Sequence, residues 1–498
     1  MNTQADTDTN TPANTDTNTP AAAAVGTAVG TAPGTNWPYL EYTGVDSLRG
    51  PLMVVSGVRG VGFDEYVRIR GQDGELRYGV VAEVQEDLAV VQVLEGTGGL
   101  DPAGTRVAFS GTPLRIPVGL GWLGRMCDGR GTPVDGGPPV MGSRTAPVAG
   151  RPINPTRREP PSEPVLTGVS VIDALTTFVR GQKLPIFSVP GLPHLELATQ
   201  IAGQAAAGSQ PFCVVFAGMD LTHADAAFVR GALEERAAVG ELILLINTSD
   251  APVLERIMTP RIALTIAEEL AFVHGRHVLV ILADMTSYAE ALREISAARE
   301  EIPARRAYPG YLYSDLAGIY ERCGRIRGLP GSVTVLPVLT MPGGDITHPV
   351  PDLTGYITEG QIVLSAETAA RGIYPPIDPL SSLSRLMRNG AGPGRTSAEH
   401  LPLAAQLLAS LARARQVRDL ADLIGADSLS RTDRGYLDFE DAFYKLLVDQ
   451  RRTENRSLAD TLDRCARVAF TLPRSELTML PDRMLPAGLP SGKEQERK

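Results

Sequence analysis

Short runs in which apolar and polar positions alternate fill the stretch from Tyr39 to about Pro113: "YVRIR", "LRYGVVAEV", "LAVVQVL" and "TRVAFSG", separated by Gly-containing turns such as "GQDG". A period of two places one face of a strand in a core and the other in water, so residues 37–113 predict a small antiparallel sheet or barrel. Between residues 114 and 385 the pattern changes. Solid apolar runs such as "PFCVVFAG", "ELILLIN" and "HVLVILADM" alternate with stretches of helical spacing such as "DAAFVRGALEERAAV" and "RIALTIAEELAFVHG". Strands apolar on both faces, each followed by a helix, predict a parallel α/β sheet. From 386 to 475 the spacing is helical throughout, as in "AEHLPLAAQLLASLARARQVRDLADLIG" and "RGYLDFEDAFYKLLVDQRRT", and residues 476–498 read as a mobile end.

Residues 1–36 hold no Lys or Arg and consist of Thr, Asn, Asp, Ala, Pro and Gly with little else. They cannot bury enough surface to offset ordering entropy, and they predict a disordered tail. The start also lacks the positive charge of a secretory signal. Over the 498 residues, 43% hydrophobic and 21% charged positions are ordinary for a globular chain, and the length suits roughly three domains. A formal charge of -10 argues against a broad nucleic-acid surface. Cys127, Cys213, Cys323 and Cys465 are far apart and form no CxxC pair, so free buried thiols are expected. The longest apolar runs, "LILLI" and "VLVILA", fall far short of a membrane span, so a membrane role would come through partners.

The candidate chemistry centres on "LPIFSVPGLPHLELATQ" (184–200), an apolar strand, a Pro/Gly turn and a helix start. A phosphate loop needs glycine-freed N–H donors, a Lys for the terminal phosphates and a hydroxyl for magnesium. Over the eight aligned positions Val189 to Glu196, Leu195 stands where the Lys would be and Glu196 where the hydroxyl would be, leaving Gly191 and His194 as remnants of the pattern. Two prolines remove donors and a carboxylate repels phosphate, so the loop predicts no ATP hydrolysis of its own. Asp284, closing "HVLVILAD", occupies the place of a Walker B carboxylate. His274 and His277, three apart and read as a helix end, lack a third ligand, so no metal site is expected.

The segments "PGYLYSDLAGIYERCGRI" (309–326), "LTMPGGDITHPVPDLTGYITEGQIVL" (339–364) and "YPPIDPLSSLSRLM" (374–387) closely resemble the B (beta) subunit of V-type and archaeal A-type rotary ATPases. Pro375 to Ser384 also fits the signature shared by rotary-ATPase alpha and beta chains, and "GRMCDGRGTPVDGGP", "PINP", "TGVSVIDAL", "GQKLPIFS" and "ALREISAAREEIPARRAYPGY" extend the likeness over residues 39–450. The resemblance implies an N-terminal β-barrel, a central RecA-like P-loop-type α/β domain with a degenerate phosphate loop, and a C-terminal helical domain. The family loop typically reads "GSGLPHNE"; here Val189 and Pro190 replace Gly-Ser and Leu195 replaces Asn, which argues against tight nucleotide binding at this chain's own site.

What the resemblance further implies is a regulatory, non-catalytic subunit alternating with catalytic A subunits in an A3B3 ring. ATP or ADP with magnesium would be held at the A/B interface, mainly by A, and central-stalk and peripheral-stalk subunits would link the ring to a membrane sector moving protons or sodium. The complex would sit peripherally on the cytoplasmic face. Arg385 matches the family's arginine finger, acting in trans on the A site, with Ser382, Ser384 and Tyr356 as further interface candidates. "REEIPARRAYPGY" and "RARQVRDLADLIG" fall in regions that the family turns toward neighbours and the rotor, although their charge patterns also suit solvated faces. Two alternatives remain: an autonomous hexameric NTPase, which calls for a GKT or GKS loop absent at 189–196, and a structural paralogue that assembles without aiding catalysis.

Overall fold

The computed structural model describes residues 27–31, 38–43, 45–208 and 210–486. These divide into two compact units, Met1–Thr112 and Pro113–Lys498. In the first, eight antiparallel strands run from Thr27–Thr31 to Arg106–Pro113. Their alternating positions put Met53, Val55, Val67, Ile69, Val81, Val91 and Val107 into one core. Burial repeats every second residue along Glu65–Arg70, the pattern that the sequence showed. Within the expected tail, however, Thr27–Thr31 is a strand paired with Pro38–Tyr42, because the backbone ladder needs no large side chains to form. The rest of that expected tail, apart from this strand, lies outside the described residues.

The second unit is built on a parallel sheet. Its order is Met126–Asp128, Leu242–Thr248, Phe212–Leu221, His277–Ala283, Ser332–Thr340, Ile186–Ser188 and Gly360–Val363, closed by the antiparallel two-residue strand Leu383–Ser384. The central strands are buried along nearly their whole length, as their unbroken apolar runs require. Helices Val253–Phe272 and Met285–Ala298 pack against this sheet. Four buried free thiols lie in this unit, each pushed up to about 12 by burial.

Beyond the sheet, helices His400–Ile424, Arg431–Ala442 and Leu458–Ala469 bury Leu403, Leu407, Leu411, Phe439, Phe443, Cys465 and Val468. The helical spacing from 386 onward is therefore realised, with a π-helical turn at Phe443–Val448. Within the expected mobile end, Leu477 and Leu480 are instead buried in the same core. Residues 487–498 lie outside the described residues. The two histidines part company: helix Val253–Phe272 ends before His274, and after Gly275, with φ 69°, His277 opens the strand expected of "HVLVILADM" and does not share a helix end with His274. Among the described residues no helix is long and apolar enough to cross a membrane.

Candidate functional site

The degenerate loop lies where its sequence places it. Strand Ile186–Ser188 ends, Gly191 turns with φ 88°, and helix His194–Gln204 begins. Leu195 is half-buried and packs on the apolar core instead of presenting a cation. The His194 ring nitrogen lies 2.9 Å from the Leu192 carbonyl oxygen, folding the imidazole back on its own turn. Glu196 forms an ion pair at 3.5 Å with Arg452, from the turn before helix Leu458–Ala469, and that guanidinium also lies over the ring of Tyr374 at 5.3 Å.

Asp284 follows strand His277–Ala283 and caps helix Met285–Ala298. Its carboxylate accepts hydrogen bonds from the Thr286 N–H at 2.7 Å, the Thr340 N–H at 3.1 Å and the Thr340 hydroxyl at 2.7 Å. Burial pushes its carboxyl above the usual range, and those hydrogen bonds pull the other way. The acid is thus spent on the fold. With Pro190 lacking an N–H, an apolar residue at the Lys position, a paired carboxylate at 196 and Asp284 occupied by three donors, the side chains here do not fit a magnesium triphosphate.

Gln200, on the helix that follows the loop, continues the same theme of attachment. Its side-chain amide donates to the carbonyls of Arg451 and Glu454, both at 3.2 Å, and it accepts from the Tyr374 hydroxyl at 2.9 Å. The loop helix is tied to the turn that joins the C-terminal helices.

A second cluster forms at the sheet edge. Ser384 pairs with Gly360 and Leu383 with Gln361. A Cβ on Gly360 would lie 2.1 Å from the Leu383 carbonyl oxygen, so only glycine lets the two backbones meet. Ser382 donates to the Asp378 carbonyl at 2.6 Å and accepts from the Val363 N–H at 3.0 Å. Ser384 is buried, donating to the Thr177 carbonyl at 3.2 Å. Both hydroxyls therefore shape the turn and the strand that precede Arg385. The Arg385 N–H donates to the Glu359 carbonyl at 2.9 Å and its guanidinium to the Thr358 carbonyl at 3.2 Å. The residue is exposed, and among the described residues it makes no ion pair. Tyr356, 75% exposed, is the last residue but one of helix Pro349–Ile357, two residues before Thr358.

Register separates the two clusters. Arg385 sits level with Glu359, which in turn meets Lys183, since the Glu359 N–H donates to the Lys183 carbonyl at 2.9 Å. The loop opens six residues further on, at Val189, and six residues of strand span about 20 Å. Arg385 lies toward the N-terminal end of this sheet edge and the loop beyond its C-terminal end, so the guanidinium cannot serve its own loop.

Comparisons with known proteins show the family. Residues 168–384 match the nucleotide-binding domain of the ATP synthase alpha/beta family, 389–488 the C-terminal domain of V and A type ATP synthase, and 47–111 the beta-barrel domain of the alpha/beta family. The chain is 52% identical over 439 residues to the B subunit of the A-type ATP synthase of Aeropyrum pernix, covering 88% of this chain and 95% of that one. This chain belongs to the ATP synthase alpha/beta family, as a B-type chain of its V/A branch. A solved relative, described as a unique ATP synthase subunit, NeqB, from Nanoarcheaum equitans, is 36% identical, with a TM-score of 0.66 over 84% of this chain and 98% of that one. The β-barrel, nucleotide-binding and helical C-terminal regions of the B-type fold are thus those that the sequence pattern outlines.

Sequence reading missed Gln182, Lys183 and Glu359, which hold the strand that leads into Arg385. Their only signal was a polar pair set directly before the apolar run "LPIFS".

Proposed function

We propose that this chain is the regulatory B subunit of an A/V-type ATP synthase, and that it assembles in an alternating ring with catalytic A subunits and supplies Arg385 to the nucleotide site of its neighbour. The observation that carries this reading is Arg385 itself: an exposed guanidinium with no carboxylate partner among the described residues, toward the opposite end of the sheet edge from a loop unsuited to phosphate. Leaving a cation without a counter-charge costs little in water, and its value lies in meeting charge that another molecule brings. Guanidinium is permanently charged, planar and able to bridge two phosphoryl oxygens, which suits it to charge that builds up in phosphoryl transfer.

In this reading ATP or ADP with magnesium is bound mainly by the A subunit. The B chain contributes the trans cation, the exposed Tyr356 beside it and the helical region that follows the rotor. Stalk subunits connect the ring to a membrane sector that moves protons or sodium, and the chain lies peripherally on the cytoplasmic side. The experiment is to reconstitute the ring with its cognate A and central-stalk subunits and compare ATP turnover of wild type with Arg385→Ala, checking assembly by size. A fall of about three orders of magnitude with the ring intact is the expected result. Unchanged turnover would leave the chain an architectural member of the ring.

A further inference from the structure

Gln182 is fully buried, and every polar atom of its side chain is engaged. Its Oε1 accepts from the Val179 N–H at 3.0 Å, while Nε2 donates to the Glu359 carbonyl at 3.2 Å and to the Ser384 hydroxyl at 2.9 Å. The Glu359 carbonyl is the same atom that receives the Arg385 N–H. Ser384 is the residue immediately before Arg385, and its hydroxyl passes the chain of bonds on to the Thr177 carbonyl. One buried amide thus holds the Glu359 carbonyl and the Ser384 hydroxyl, the two points next to where Arg385 leaves the sheet.

The grip on Glu359 is completed from the next residue. The Lys183 N–H donates to Glu359 Oε2 at 2.7 Å, and the Lys183 ammonium meets Oε1 at 2.5 Å. The strand leading into the arginine, Leu383–Ser384, is only two residues long and lies at the end of the path, which gives its own ladder little strength. Its position depends on this cross-sheet bracing. A buried amide is costly unless satisfied, and here its bonds go to the segment that presents the cation.

We infer that Gln182 is a positioning residue for Arg385: it acts through the Glu359 carbonyl and the Ser384 hydroxyl to fix the height and direction of the guanidinium, without touching nucleotide. This rests on the reading of Arg385 given above. Displacement of a reacting-site group by about 1 Å costs up to about a hundredfold in rate, so bracing of this kind is felt in turnover rather than in substrate affinity.

The test is a cycle in the reconstituted ring: Gln182→Met, which keeps length but has no hydrogen bonds, Arg385→Ala, and the two combined, with kcat and KM measured and assembly checked by size. Gln182→Met is expected to lower kcat about tenfold or more with KM within about twofold, and to add no further loss once Arg385 is alanine. If Gln182→Met fails to assemble, Ser384→Ala, which deletes a single hydroxyl, takes its place in the same cycle. An Arg385→Ala loss with Gln182→Met unaffected, or with additive losses, would overturn the positioning role and leave the trans arginine standing. An Arg385→Ala variant of full activity would remove both.

Discussion

The N–H of Arg385 and the side-chain amide of Gln182 donate to one carbonyl oxygen, that of Glu359, at 2.9 Å and 3.2 Å. The backbone of Arg385 is therefore fixed from inside the sheet, while its guanidinium, among the described residues, has a single bond, to the Thr358 carbonyl. Rigid below and free at the tip, it favours a planar fork over a flexible ammonium. Arg385→Lys in the intact ring is expected to keep charge yet lose bidentate geometry, and so to recover only a small part of the turnover lost in Arg385→Ala. Steady-state ATP hydrolysis of the two variants side by side decides this; near wild-type rates for Lys would show that charge alone suffices.

How much of this was legible in the sequence depends on the distance over which each residue acts. Strand and helix periods are local, so the sheet unit, the parallel sheet and the helices beyond residue 386 could be read directly. The failed phosphate loop was equally local, since Leu195 and Glu196 declare it by type. Arg385 was found through a resemblance rather than through any spacing. What stayed hidden is long-range: Gln182 meets Ser384 across 202 positions, and Asp284 meets Thr340 across 56. No period reports such contacts. His277, read both as a helix end with His274 and as the first residue of "HVLVILADM", belongs to the strand, since helix Val253–Phe272 stops before either histidine.

Gly360→Ala should be severe. The added methyl would meet the Leu383 carbonyl oxygen at 2.1 Å with φ at 140°, so the pairing that carries Ser384 and Arg385 cannot form unchanged. A destabilisation of about 2–4 kcal/mol in chemical denaturation is expected, with loss of turnover in any rings that assemble. A variant of wild-type stability would mean that the edge strand is not held as described.

Restoring the missing loop chemistry is expected to fail. In Leu195→Lys with Glu196→Thr, Pro190 still lacks a donor, and Asp284 remains engaged with Thr286 and Thr340. Calorimetry of the isolated chain should detect no ATP binding beyond that of wild type. Saturable binding would show that the side chains at 195 and 196 were the sole obstacle.

His277 makes stability depend on acid. Its ring lies 2.9 Å from the Ser332 hydroxyl and 3.2 Å from the Arg180 guanidinium, and burial first, then that cation, lowers its pKa to about 4. The folded chain therefore binds a proton less readily than the unfolded chain, whose imidazole titrates near 6.5. Stability from the neutral ring is complete above the unfolded value and is lost as pH falls toward about 4. Thermal melts at neutral and mildly acidic pH should show a smaller acid-induced drop for His277→Gln than for wild type. An equal drop would assign the acid sensitivity to other groups.

The amide of Gln200 holds the Arg451 and Glu454 carbonyls and accepts from the Tyr374 hydroxyl. Three segments far apart in the chain share one side chain, and no flexible joint separates the helix after the failed loop from the turn between the C-terminal helices. Through this one side chain the helix after the loop is bonded both to that turn and to the segment leading toward Arg385. Replacing Gln200 would therefore release both attachments at once, so the helix after the loop owes its place to contacts far away in the chain as much as to the strand before it.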